Sequence, residues 1–267
     1  MSDIKIFNED CFVTMERIEP KSIDLIMTSP FYNTDKHAGR SRTIKGDMLN
    51  QTKLDIRYDE HIDNMTNDEY CEFTTRLFNS FDKILKANGC ILYNISYGAE
   101  NTEGLFRAIN SIIVDTNFTV ADVICWMKKS ALPNNVSSNK LTRIWEFVFV
   151  ICRKSEFYTF FCNKKVKNCR KTGQKNYENI FNVVEARNND GFCPYNRATY
   201  SSELCEKLFR LYAPENAKVY DPFCGTGTTG VACKRMRFDF IGSEISENQC
   251  KWANDRIQNT IVTRKLF

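Results

Sequence analysis

The sequence predicts an α/β fold: one mostly parallel sheet with helices on both faces. Short apolar runs of strand length, such as Ser22–Met27, Cys90–Ile95 and Ala217–Tyr220, alternate with stretches of helical period. The C-terminal third reads strand, Gly-containing turn, helix, strand, which is a βαβ unit. The 267 residues are enough for one large core but too few for two ordinary domains with linkers, so a single domain over 1–267 with insertions is expected.

In chain order, a polar turn at Asn8-Glu9-Asp10 precedes the strand Ser22–Met27, which feeds into the polar loop Thr28-Ser29-Pro30. Residues 34–64 carry Asp, Asn, Gly, Lys and Arg without a period and read as a long mobile loop. Thr66 with Glu69 forms a capping-box pattern, and Tyr70, Phe73, Leu77, Phe78, Phe81 and Leu85 recur at helical spacing until Asn88-Gly89 stops the helix. A strand at Cys90–Ile95, a helix at Thr102–Asp115, and strands at Phe118–Met127 and Glu146–Cys152 around the polar loop Lys128–Lys140 follow. Between Arg153 and Asn189 the pattern breaks down into Lys, Arg, Asn and scattered aromatics, so 153–190 reads as an insertion. Order resumes with a helix at Ser201–Tyr212, the strand Ala217–Tyr220, a turn over Asp221–Gly227, a helix at Thr228–Met236 and a strand at Phe238–Gly242.

Composition narrows the function classes. Hydrophobic residues at 42% and charged ones at 26% are the balance of a globular chain, which excludes disorder as the default. The start, MSDIKIFNEDCF, has no basic segment followed by an apolar core, and no run approaches the roughly 18 apolar residues of a membrane span, so a cytoplasmic protein without a membrane partner is expected. The twelve cysteines are scattered singly without C-x-x-C spacing and read as reduced, mostly buried thiols. The two histidines, His37 and His61, stand apart from any ligand-spaced cluster, so no metal is expected. A net charge of +4 neither demands nor excludes a polyanionic partner, which leaves that question to local clusters.

Two motifs carry chemistry. In DPFCGTGTTG (221–230), a strand ends in a turn where Gly225 and Gly227 let backbone approach a ligand closely. The string G-x-G-x-x-G also fits a dinucleotide site, and Glu244 at the next strand end could hold ribose hydroxyls in either case. The carboxylate of Asp221 at the strand end favours a cationic sulfonium ligand such as S-adenosylmethionine over a pyrophosphate. The bland reading is a tight turn whose Asp caps the following helix.

The second motif, TSPFYN (28–33), follows a buried-type strand, which places it at the carboxyl edge of the sheet. An aryl amine is a poor nucleophile because its lone pair is delocalised into the ring. Two acceptors on its N–H groups, Ser29 and the Pro30 carbonyl, could hold it nearer tetrahedral geometry. A base presented this way leaves its stack, and Tyr32 is the aromatic wall that would recover part of that cost. The bland reading is a strand end stopped by Pro30, with Phe31 plugging the core.

TSPFYN and DPFCGTGTTG, in that order, resemble the catalytic and cofactor motifs of the β-class amino DNA methyltransferases, and the resemblance covers nearly the whole chain. ILKANGCILYN, IGSEIS and the segment Asn196–Leu204 are similar to further parts of that pattern. Phe31 stands where a second proline is usual, and Asn196 and Ser201 where histidine and proline are common. The resemblance implies a Rossmann-like sheet with permuted motif order, the catalytic half first and the cofactor half last. It implies S-adenosylmethionine as cofactor, double-stranded DNA as substrate, a monomer or homodimer, and a cognate restriction endonuclease as a candidate partner. By it, Ser29 and Pro30 orient the target amine, Tyr32 stacks on the flipped base, and Phe31 and Asn33 lie on the substrate side. Asp221, Phe223, Gly225, Gly227, Thr228 and Glu244 would surround the cofactor, and Ala198 would enclose its methionine part. A Ser at the first motif position is commoner in the family with cytosine N4, and Asp or Asn with adenine N6, so cytosine is expected ahead of adenine.

Positive charge concentrates at Lys164, Lys165, Lys167, Arg170 and Lys171 in the insertion, which suits phosphate contacts and target recognition; the bland reading is a solvated loop. Arg40, Arg42, Lys45, Lys53 and Arg57 form a second basic stretch that could close over the substrate strand. A nicotinamide-dependent oxidoreductase would leave TSPFYN without a role. A non-catalytic nucleic-acid-binding protein would explain the basic segments equally well. Methylation of RNA or of a protein amide is the remaining rival.

Overall fold

A computed structural model describes residues 2–33, 65–96, 101–130, 138–196 and 199–262. The expectations for the loop 34–64 with its basic residues, and for Ala198, lie outside the described residues.

The central feature is an eight-stranded sheet. Its strands are β1 (Ile4–Phe7), β2 (Ile23–Thr28), β3 (Leu85–Ile95), β4 (Phe118–Lys128), β5 (Trp145–Arg153), β8 (Val183–Ala186), β9 (Lys218–Asp221) and β10 (Asp239–Ser243), in the spatial order β1-β10-β9-β2-β3-β5-β4-β8. The remaining strands, β6 (Val166–Cys169) and β7 (Lys175–Tyr177), form a separate antiparallel hairpin. Only the pairs that include β5 within the large sheet are antiparallel.

Both faces are covered, as the apolar runs require. Ile91, Tyr93, Phe149 and Ile151 face one cluster with α1 (Cys11–Arg17), α2 (Asn67–Ile84) and α3 (Thr102–Asp115). Cys90, Leu92, Val148 and Val150 face the other with α4 (Ser202–Tyr212) and α5 (Thr228–Met236). The last helix, α6 (Glu247–Gln258), packs against α5. All twelve cysteines are free thiols, most of them buried. No helix among the described residues is long and apolar enough to cross a membrane.

Three expectations need correction. The helix α2 stops at Ile84, because Leu85 is already extended and pairs with Ile23; Asn88-Gly89 is an irregularity inside β3, where Asn88 has φ 59°. The segment 153–190 is not irregular throughout, since β8 closes it by pairing in parallel with β4. Four residues are too few to show a period, and Val183 is exposed. Gly227 does not open the turn to a ligand. At φ 78° its missing Cβ would lie 2.8 Å from Ala253 Cβ in α6, so this glycine serves helix packing. Gly227→Ala is expected to destabilise the fold by about 2–4 kcal/mol, seen as a lower Tm, from left-handed strain plus overpacking.

Candidate active site

The chain direction across the sheet reverses between β2 and β9. From β2 it builds outward through β3, and from β9 it builds the other way through β10. Parallel pairing of Leu25 with Val219 and Ile26 with Tyr220 brings the carboxyl ends of the two strands side by side. Open α/β sheets bind ligands at such a switch point. Ser29 leaves one strand there and Pro222 the other.

A cavity of 550 Å³ opens at this point. Ser29 and Phe31 line it from the β2 loop, Phe223, Gly225 and Thr228 from the Gly-rich turn, and Glu244 from the end of β10. Glu244 accepts the Gly225 amide at 2.9 Å and the Ser246 amide at 3.0 Å, which ties the turn to the start of α6. Gly225, at φ 50°, is where backbone comes close: a Cβ would stand 3.3 Å from the Asn196 amide and 3.4 Å from that of Gln249. Glu9, Asp10, Glu16 and Glu244 make the wall anionic, with Arg76 the one cation among its described residues. This arrangement suits a cationic ligand with hydroxyl groups and opposes a pyrophosphate.

Asp221 is not part of that wall. It is 1% exposed, and its carboxylate faces inward, accepting from Tyr200 Oη at 3.0 Å, Thr229 Oγ1 at 2.5 Å and the Phe223 amide at 3.1 Å. Burial pushes its pKa up to about 6, against the opposing hydrogen bonds. The sequence reading aimed this carboxylate at a ligand; in the structure it faces inward and shapes the Gly-rich turn.

The TSPFYN loop is held from several sides. Tyr70 Oη donates to the Phe31 carbonyl at 2.6 Å, and Asn101 Nδ2 to the Asn33 carbonyl at 2.8 Å. Asn33 is buried at φ 50°, a conformation Asn tolerates, and its side chain donates to the Met65 carbonyl at 2.8 Å. Its side chain therefore braces the loop, and Pro30 is buried beside it. Phe31 joins the two halves, with its ring centroid 5.4 Å from Tyr70, 5.1 Å from Phe73 and 6.3 Å from Phe223. The bland reading of Phe31 as a core plug holds together with its place on the cavity wall.

Tyr32 stands on the other side of Ser29. Its hydroxyl lies 3.0 Å from Ser29 Oγ, 3.3 Å from Asn94 Oδ1 and 3.2 Å from Glu146 Oε2, and Glu146 pairs with Lys128 at 2.5 Å. A phenol has one proton to give, and the carboxylate is the stronger acceptor. With Tyr32 donating to Glu146, Ser29 donates to Tyr32 and keeps its lone pairs for another donor.

Sequence reasoning missed Asn94, Glu146 and the cavity's N-terminal wall. It also missed α6, although Ser246 and Gln249 show the S-x-x-Q start signal, and the Ser246 side chain does accept the Gln249 amide. Lys164, Lys165, Lys167, Arg170 and Lys171 are exposed on or beside the β6–β7 hairpin and are not brought to the cavity. The chain leading into the hairpin is anchored by the Phe161 amide on the Asn88 carbonyl near the start of β3 and by the Asn163 amide on the Leu211 carbonyl at the end of α4, at the end of the sheet opposite to Ser29.

A family model for N6/N4 methyltransferases, described as a DNA methylase, matches residues 23–255. The chain is 26% identical over 258 residues to the type II methyltransferase M.HinfI of Haemophilus influenzae, covering 95% of this chain and 68% of that protein. Its fold is similar to that of the PvuII DNA methyltransferase, named as cytosine-N4-specific, with a TM-score of 0.68 at 18% identity over 98% of this chain and 89% of that one. An M1.HpyAVI–SAM complex is similar at a TM-score of 0.58 and 20% identity, covering 95% of this chain and 99% of that one.

Proposed function

Because the chain belongs to the N6/N4 family of DNA methylases, we propose that it methylates the exocyclic amino group of a base flipped out of double-stranded DNA, cytosine N4 ahead of adenine N6. S-adenosylmethionine is the methyl donor. The observation that carries the reading is the adjacency of Ser29 to the anionic cavity at the switch point between β2 and β9.

The residues divide the work. Glu244, Phe223, Gly225 and Thr228 hold the cofactor, which supplies an electrophilic methyl group on a positively charged sulfur. Glu244 takes the ribose hydroxyls while its carboxylate keeps the Gly-rich turn in place. Ser29 Oγ and the Pro30 carbonyl accept the amine N–H groups and draw the nitrogen lone pair out of conjugation. Tyr32 packs its ring on the base, and Glu146 with Lys128 fixes the direction of its hydroxyl. A strong general base is unnecessary, since positioning supplies most of the rate. The basic hairpin contacts DNA phosphates away from the target base, and cytosine is favoured by the Ser at position 29.

The pKa of Asp221 gives a pH dependence. Its folded value of about 6 exceeds the reference 3.8, so its contribution to stability is full below about pH 4 and is lost as pH rises through about 6. Cofactor binding runs the other way, because a nearby cation favours the ionised carboxylate. Affinity is expected to fall about three- to tenfold from pH 7 to pH 5 and to flatten in Asp221→Asn, measured by calorimetry. An equally steep profile in that variant would assign the effect to another group.

The function itself is tested by incubating the chain with labelled S-adenosylmethionine and unmethylated DNA, digesting to nucleosides and identifying the product by mass spectrometry. N4-methylcytosine is expected. N6-methyladenine would overturn the choice of base, and no methylated nucleoside would overturn the reading as a whole.

A further inference from the structure

Resting on the cofactor site proposed above, we infer that Arg256 in α6 is a positioning residue that holds the Gly-rich turn in its ligand-ready shape, through a clamp completed by Asp190. Its Nη1 donates to the Thr226 carbonyl at 3.1 Å, to Thr226 Oγ1 at 3.3 Å and to Thr228 Oγ1 at 3.0 Å. Its Nη2 pairs with Asp190. Asp190 in turn accepts the Ser202 amide at the start of α4, 3.0 Å from each oxygen. One ion pair thus joins the turn, α4, α6 and the end of the 153–190 segment.

The turn needs an external brace. Helix α5 starts from Gly227, which offers no side chain to cap it, and Gly225 and Gly227 sit at φ 50° and 78°. Glycines have little conformational preference of their own, so the shape of the turn rests on its contacts, and the helix start has no side-chain cap hydrogen bond. Thr226 and Thr228 line the 550 Å³ cavity. Thr226 and Arg256 line a second cavity of 380 Å³. Arg256 is absent from the first cavity's lining, so its guanidinium holds Thr226 and Thr228 from outside that cavity. The planar fork of arginine reaches a carbonyl, two hydroxyls and a carboxylate at once, which lysine's single ammonium cannot reproduce. The pair is largely withdrawn from water, at 23% and 13% side-chain exposure, so breaking it strands a partner rather than freeing a solvated charge.

The test compares Arg256→Met, Arg256→Lys and Asp190→Asn in the full chain. It uses calorimetry with S-adenosylmethionine, steady-state kinetics, and amide exchange of residues 225–230 without ligand. Arg256→Met is expected to raise the Kd and KM for S-adenosylmethionine about tenfold, to keep kcat at saturation and the KM for DNA within about threefold, and to speed amide exchange in the turn. Asp190→Asn shifts the same quantities less, and Arg256→Lys recovers part of the loss. Unchanged Kd and exchange in folded Arg256→Met would overturn the clamp, as would a fall in kcat at constant KM. If Arg256→Met does not fold, the same two quantities unchanged in the nearly isosteric Asp190→Asn would overturn it. A wild-type chain that binds no S-adenosylmethionine would refute the cofactor site alone, while exchange in the ligand-free turn still decides the clamp.

Discussion

Tyr32→Ala is expected to lower kcat about a hundredfold while the KM for S-adenosylmethionine stays within about threefold. The side chain contributes on two counts. Its ring offers the surface that recovers part of the unstacking cost of a flipped base, and its hydroxyl ties Ser29 to Asn94 and Glu146. Tyr32→Phe separates these contributions, since it keeps the ring and removes the hydroxyl. A fall of about tenfold in kcat is expected there, because the Ser29 hydroxyl loses the acceptor that fixes its proton and so the direction of its lone pairs. Steady-state kinetics at saturating DNA provides the check. If Tyr32→Ala weakened cofactor binding as much as turnover, the division of labour between the β2 loop and the Gly-rich turn would be wrong.

Glu244→Ala should have the opposite signature, with the Kd for S-adenosylmethionine raised about a hundredfold and kcat at saturation nearly unchanged. The carboxylate lines the cavity and also accepts the Gly225 and Ser246 amides, so its removal strands two donors at the wall. Asn8 grips the Glu244 and Ile245 carbonyls at 2.9 and 2.8 Å, so the backbone there stays anchored when the side chain is cut back. Glu244→Gln keeps an acceptor and loses the charge, and about a tenfold rise is expected. An unchanged Kd in Glu244→Ala would remove this residue from the cofactor site.

Local signals were strongest where a single segment contains both the pattern and its stop. The capping box of Thr66 and Glu69 starts α2 as read, and α3 and α5 keep the limits that their periods and flanking residues imply. Helix α1 has seven residues, and β1 and β8 four each, too short for a period to stand out. Their stability comes from the neighbours they pair with, which the local string does not contain. The roles of the two motif glycines illustrate the same limit. Gly225 and Gly227 look equivalent in sequence, yet one borders the cavity and the other fits against Ala253.

The sequence by itself determined the alternation of strands and helices, the two motifs and their order, and the family, because these rest on residue types a few positions apart. Only the tertiary structure decided that Ser29 and Glu244 share one cavity, that the Asp221 carboxylate faces inward, and that Glu146 stands on Tyr32. It also decided that the basic hairpin leaves from the far end of the sheet. Each of these depends on which strands become neighbours, and that is set by burying two faces of one sheet at once, a condition on the whole chain rather than on any segment of it.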